Sequence, residues 1–182
     1  IFGLVQGGLN NEGDDTLAGT EFADNLYGGV GNDTLNGANG SDTIYGGQGN
    51  DVLIGGAGND TFLFTNGDGQ DTLAKEIVSN AGSDQLVFTG DITADDLWFS
   101  LQGENLLINV LGGTDQVTVD GWTSGNDSLT SIVDSDGAVL QSSQVLQLVN
   151  AMAAFDVSGA GELTITPEDR QQVDTVIAAS WS

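Results

Sequence analysis

The sequence predicts a mainly β chain. Its first part coils into a roll of short parallel strands, a small β-rich module closes that roll, and a helical tail follows. Three observations carry this. One pattern returns every nine residues between residues 10 and 63, with aspartates at Asp15, Asp24, Asp33, Asp42, Asp51 and Asp60. An apolar residue keeps phase two places after each: Leu17, Leu26, Leu35, Ile44, Leu53 and Phe62. Beyond residue 84 the period changes to two-residue alternation, and beyond 142 to the three- and four-residue spacing of an amphipathic helix.

Within each nonamer about six residues form a turn and about three a strand. Units such as Gly46-Gly47-Gln48-Gly49-Asn50-Asp51-Val52-Leu53-Ile54 place glycines in the turn, where the backbone takes positive φ and carbonyls approach closely. The Asp-Thr-Leu type segment favours strand, with the apolar residue pointing inward. One unit makes half a coil, so units of equal parity stack. Leu17, Leu35 and Leu53 then line one sheet, and Leu26, Ile44 and Phe62 the other. The resulting core is one side chain deep, too thin to hold the coil by itself.

Stacking also ranks Asp15, Asp33 and Asp51 along one edge and Asp24, Asp42 and Asp60 along the other. Carboxylates at strand spacing, about 4.8 Å, repel unless a cation lies between them. Hard oxygen ligands suit Ca²⁺, which accepts six to eight oxygens in loose geometry; Mg²⁺ keeps its water and a stricter octahedron. With no His and no Cys, sites for zinc, copper or iron are not expected. Four interior sites are expected, at Asp15/Asp33, Asp24/Asp42, Asp33/Asp51 and Asp42/Asp60. The first two rest on weaker units, because Phe22 replaces a glycine and Asn10-Asn11 replaces an opening pair. Where the period breaks, Gly67-Asp68-Gly69-Gln70-Asp71 offers Asp68 and Asp71 to close the stack near Asp51 or Asp60.

Composition agrees with a cation-seeking chain. Against 27 acidic residues stand two basic ones, a formal charge of −25 over 182 residues. Lys75 and Arg170 are those two. Such a charge repels nucleic acid and anionic lipid as direct partners. Absence of cysteine fits an exported chain relying on metal in place of disulfides. No apolar run approaches the length of a membrane span. The start at Ile1, without a leader, reads as the trimmed end of something larger that lacks a classical signal peptide.

Three parts are expected: 1–75 the roll, 76–140 the β-rich capping module, and 141–182 the helical tail. In the module, strands are expected over 84–88, 97–101, 105–110, 116–120 and 129–133, with a capped helical turn at Thr93-Ala94-Asp95-Asp96. Gln102-Gly103-Glu104 and Gly112-Gly113-Thr114-Asp115 supply hairpin turns. Trp98, Phe99 and Trp122 read as core of a small sheet in preference to a sugar-stacking platform. Val145, Leu148, Val149, Met152 and Phe155 share one helical face, and Thr166-Pro167 opens a second helix. Between them, 156–164 has the outline of an EF-hand loop, but Ala160 holds a ligand position and Pro167 stands where the closing glutamate belongs.

The repeats resemble those of the repeats-in-toxin (RTX) proteins, whose glycine-aspartate nonapeptides are a known Ca²⁺-binding coil signature. Asp84-Gln85-Leu86-Val87-Phe88, Ile92 to Ser100 and Gly121-Trp122 look like the module flanking such repeats in haemolysin-like toxins. The stretch 147–155 is similar to that before an uncleaved C-terminal secretion signal. The resemblance implies a right-handed parallel β-roll with two short sheets and Ca²⁺-bound turns. It implies about 4–6 ions held by the aspartates and by backbone carbonyls of Gly28, Gly29, Gly31, Gly37, Gly46, Gly47, Gly49, Gly55, Gly56 and Gly58. It further implies a secreted protein of a Gram-negative bacterium, exported by a type I apparatus that reads the tail. The expected function is a calcium-triggered folding and secretion module of an exported toxin, with a module of a large adhesin or secreted hydrolase as the alternative. The chain itself is not expected to be an enzyme: without His or Cys, only carboxylate chemistry remains, and metal ligation explains the aspartates' spacing better.

Overall fold

The computed structural model describes residues 3–6, 12–74, 82–124, 129–153 and 167–181. The repeat region alternates short strands: β1 (Gly3–Gln6), β2 (Thr16–Ala18), β3 (Asp24–Val30), β4 (Thr34–Asn36), β5 (Thr43–Gln48), β6 (Val52–Ile54), β7 (Thr61–Phe64) and β8 (Gln70–Leu73). After it come β9 (Asp84–Phe88), β10 (Leu97–Gln102), β11 (Asn105–Val110), β12 (Gln116–Val119), β13 (Leu129–Val133) and β14 (Val139–Gln141), then helices α1 (Ser142–Met152) and α2 (Pro167–Ser180). Odd and even strands of the repeats separate into two sheets. One runs β1-β3-β5-β7-β9-β13-β14, the other β10-β11-β12-β8-β6-β4-β2.

Parallel pairing stacks like on like. Leu17 lies opposite Leu35, Leu35 opposite Leu53, and Leu53 opposite Leu73. Leu26, Ile44, Phe62 and Leu86 make the facing row. All but Leu17, at the N-terminal end, are buried. The fold is a parallel β-roll, because a period of two half-coils leaves every second unit in register.

Both sheets continue into the part expected as a separate capping module. β9 extends the first by pairing parallel with β7, and β12 extends the second by pairing parallel with β8. The capping module is therefore built onto the roll strand by strand, covering apolar edges that would otherwise stay open. Antiparallel pairs β10·β11 and β11·β12 follow the two expected hairpin turns. Trp98 and Phe99 are both buried although consecutive strand residues face opposite ways, so this part of β10 is covered on both faces, and Trp122 packs half-buried against the core.

The C-terminal helices lie on this module. α1 touches β10, β13, β14 and α2, burying Val145, Leu148, Val149 and Met152. The Phe99 N–H donates to Met152 Sδ at 3.2 Å, and the Phe99 and Trp181 rings stand 6.5 Å apart. Val173 and Ile177 are the buried stripe of α2. No helix among the described residues is long and apolar enough to cross a membrane. The EF-hand-like stretch, Phe155, Lys75 and Asn10-Asn11 lie outside the described residues.

Candidate metal centre

Each repeat aspartate sits at or just before the start of a strand, where a turn delivers the chain into the sheet. There the register fixes its partner one full coil on. The Asp15 N–H donates to Asp33 Oδ1 (2.7 Å), Asp24 to Asp42 (2.8 Å), Asp33 to Asp51 (2.7 Å) and Asp42 to Asp60 (2.8 Å). The expected pairs are thus consecutive rungs, joined through backbone rather than stacked carboxylate on carboxylate.

The ladders continue past the nonamers. Asp51 N–H donates to Asp71 Oδ1 at 3.0 Å across 20 residues, and Asp60 N–H to Asp84 Oδ1 at 2.9 Å across 24. Asp84 was not among the expected site residues. Its signal was present, since Gly82-Ser83-Asp84-Gln85-Leu86 repeats the Gly-x-Asp-x-apolar ending of a nonamer; the irregular spacing before it hid the phase. Of the two aspartates expected to close the stack near Asp51 or Asp60, Asp71 does so at Asp51, and the place at Asp60 is taken by Asp84. Asp68 instead accepts the Thr65 N–H (2.7 Å) and the Tyr45 hydroxyl (3.0 Å).

One oxygen of each rung therefore serves the backbone, and the other is left over. Asp33, Asp42, Asp51, Asp60 and Asp71 are 1–2 % exposed, and the Oδ2 of each is buried without a hydrogen-bond partner. Asp24 is turned round: its Oδ2 accepts the Thr20 N–H (2.5 Å) and hydroxyl (2.8 Å), and its Oδ1 is the orphan. Asp15 is only half-buried, at the open end of the stack. A buried unsatisfied carboxylate oxygen costs several kcal/mol in order of magnitude if ionised, so a repeated one marks a place for a cation.

Glycines keep that place open. A Cβ on Gly28 would fall on Asp33 Oδ2 and the Gly46 carbonyl; one on Gly37 would fall on Asp42 Oδ2 and the Gly55 carbonyl. A Cβ on Gly46 would meet Asp51 Oδ2. Carboxylate and carbonyl oxygens thus converge around the same points, a hard-oxygen set that fits Ca²⁺. Among the described residues no three acidic side chains gather into a ready cluster. The chemistry agrees, because each rung contributes one free carboxylate oxygen and the turn backbone must supply the rest. Gly29, Gly31, Gly49 and Gly58 serve stacking as well: their carbonyls lie where a Cβ on Gly47, Gly49, Gly69 or Gly82 would go. Gly56 lies likewise over the Ala38 carbonyl. Ala38 takes φ +73 where Gly29 and Gly47 have +117 and +98, so the single break in the double glycine keeps the turn's backbone at a cost in strain.

Burial raises the pKa values of the ladder's carboxyl groups. Desolvation raises Asp42 and Asp51 to about 6 and Asp71 to about 8, neighbouring aspartates adding repulsion and backbone N–H donors partly offsetting it. Asp33 and Asp60 are raised too, again chiefly by burial. A folded-state value above the ordinary 3.8 means that protonation favours the roll. That stabilisation is complete below about pH 4 and is lost as pH rises through the folded values, from about 6 to about 8. The metal-free chain is accordingly expected to gain β-sheet signal on acidification, read by circular dichroism in chelator. Calcium's midpoint should rise over the same interval as protons compete. A metal-free spectrum indifferent to pH would contradict this.

Residues 9–44 and 36–73 match the family profile of the RTX calcium-binding nonapeptide repeat (4 copies). The roll is therefore made of RTX calcium-binding repeats, and it takes several Ca²⁺ ions. "Iron-regulated protein FrpA" of Neisseria meningitidis serogroup C is 38% identical over 92 residues, 48% of this chain and 8% of that protein. The crystal structure of extracellular lipase LipA from Serratia marcescens superposes with a TM-score of 0.49 at 30% identity, over 69% of this chain and 20% of the lipase. The solution structure of the AlgE6R3 subunit from the Azotobacter vinelandii mannuronan C5-epimerase gives 0.44 at 24% identity, over 86% of this chain and 87% of that one. The chain thus spans a small part of FrpA and of the lipase.

Proposed function

We propose that this chain is a calcium-triggered folding module of a protein exported by a type I apparatus, with no catalytic role of its own. The observation that carries the calcium trigger is the row of buried carboxylate oxygens without partners. Asp33, Asp42, Asp51 and Asp60, with turn carbonyls such as those of Gly46 and Gly55, hold the ions. Bound Ca²⁺ supplies the positive charge that lets the two edges close; the chain supplies the register that sets the ladder. In calcium-poor cytosol the charge of −25 keeps the chain open for threading. Outside, calcium at or above a Kd of about 10⁻⁴–10⁻³ M drives folding and opposes backsliding.

Support for export comes from the likeness of the repeats and tail to secreted RTX proteins, and the tail is the part the exporter would read. A reporter fused ahead of this chain, expressed with a type I exporter in a Gram-negative host, should appear in the medium. Deleting residues 141–182 should leave it inside. Undiminished export after that deletion would remove the secretion half of the proposal and leave calcium binding standing.

A further inference from the structure

The Trp181 indole N–H is buried and has no hydrogen-bond partner. A buried tryptophan normally places this donor on an acceptor. Trp181 follows α2 directly, its backbone N–H donating to the Ile177 carbonyl at 3.1 Å. It lines a cleft of about 300 Å³ between α2, the helical turn Ala94–Asp96 and the turn that precedes β14. Ala94 and Asp95 contribute from the helical turn, Asp134 and Asp136 from the other turn, and Ile177 from α2. None of these residues belongs to the aspartate ladders.

The oxygens of this cleft are engaged by the fold and not by the indole. Asp134 is 4% exposed; its Oδ1 accepts the N–H groups of Asp136 (3.0 Å) and Ala138 (2.8 Å), and its Oδ2 that of Ala94 (3.0 Å). The Ala94 carbonyl accepts from Leu97, and the Ser135 N–H donates to the Ile92 carbonyl at 2.9 Å. These bonds tie the two turns to each other, so the walls keep their shape whether or not the cleft is filled. The indole N–H is the donor left over.

Ligand chemistry follows from what surrounds that donor. An oxygen acceptor has to meet the indole N–H, yet Asp95, Asp134 and Asp136 repel an anion, within a chain of net charge −25. Asp95 and Asp136 are exposed, and no Lys or Arg is among the lining residues. Their carboxylates attract an ammonium group, and an indole ring adds to that attraction. The volume equals about ten waters at roughly 30 Å³ each, which is the size of a monosaccharide.

We infer that this cleft binds a small organic ammonium carrying a hydroxyl or carbonyl oxygen, a molecule of the amino-sugar class. Its oxygen accepts from Trp181 Nε1, and its ammonium group is held by Asp95 and Asp136. Asp134 is a positioning residue, fixing the two turns around the ligand. The site gives the capping module a binding role separate from calcium and requires only that the chain be folded.

The test uses the whole chain at saturating calcium, with folding checked by circular dichroism. Glucosamine, glucose and glucuronate are titrated in turn, followed by the NMR signals of the indole N–H groups and by calorimetry. Trp181→Phe assigns the Trp181 signal. Glucosamine should move that signal saturably, glucose should bind at least about tenfold more weakly, and glucuronate should not bind. Trp181→Phe keeps a ring but loses the donor, and Asp136→Asn loses the charge; each should weaken glucosamine about tenfold. Both should leave the calcium titration unchanged, and Glu104→Gln should change neither. If Trp181→Phe does not fold, Asp136→Asn and the wild-type titrations still decide. An unmoved Trp181 signal would mean that water alone satisfies the donor and would overturn the inference. So would equal binding of the three sugars, undiminished binding in the folded variants, or a loss in Glu104→Gln as large as in Asp136→Asn.

Discussion

In a calcium chelator at neutral pH the chain is expected to lose most of its β-sheet circular dichroism, and to regain it on addition of Ca²⁺. The reason lies in what the fold buries. Five ladder aspartates are almost fully enclosed with one oxygen each unsatisfied, and the apolar layer beside them is a single row deep in each sheet. A site present only in the native state adds about 1.4 kcal/mol when free calcium is ten times its Kd, so four such sites add roughly 6 kcal/mol. That is comparable to the whole net stability of a small domain, about 5–15 kcal/mol. The same spectrum with and without chelator would defeat the switch. The capping module and its helices bring a larger apolar core, so any signal that survives should belong to them.

Replacing Asp33, Asp42 and Asp51 together by Ala should raise the calcium midpoint of folding by more than about tenfold, or abolish folding, at about 1–3 kcal/mol per lost buried partner. Each of these carboxylates does two things. Its free oxygen faces the cation place, and its Oδ1 accepts the N–H of the aspartate one coil earlier. Alanine removes both and strands the N–H groups of Asp15, Asp24 and Asp33. Asparagine can retain the second function while losing the charge, so the Asn triple variant should bind calcium more weakly yet fold better than the Ala variant. Glu104→Ala, in an exposed hairpin turn, should shift the midpoint by less than about 0.5 kcal/mol. Equal effects from Glu104→Ala and the triple variant would show that bulk charge, and not the ladder, governs folding.

Much of the site was legible in the sequence. A nine-residue period with glycine, aspartate and an apolar residue in fixed phase admits few other packings, because any slip would expose the apolar row. The stacking by parity follows from it, and so do the rungs as far as Asp60. The two rungs beyond the period were less legible. Asp71 was foreseen only as one of two candidates, and Asp84 not at all, because loops of irregular length destroy phase while leaving spatial register intact. Asp68 was the other candidate for closing the stack, but the Tyr45 hydroxyl and Thr65 N–H hold it elsewhere. Strand β14 was also missed: three residues after a turn carry no periodic signal, and pairing with β13 is what orders them.

By itself the sequence determined the coil, the two rows of leucine-like side chains, the carboxylate edges and the choice of a hard divalent cation, since all of these follow from local period and ligand chemistry. Only the tertiary structure decided which oxygen of each aspartate is used up by backbone and which is left over, for that depends on the register between coils 18 to 24 residues apart. It also decided that the capping module continues both sheets of the roll and that the C-terminal helices bury their apolar faces on that module. Such joins are made by long-range pairing and shared burial, to which no single stretch of chain commits in advance.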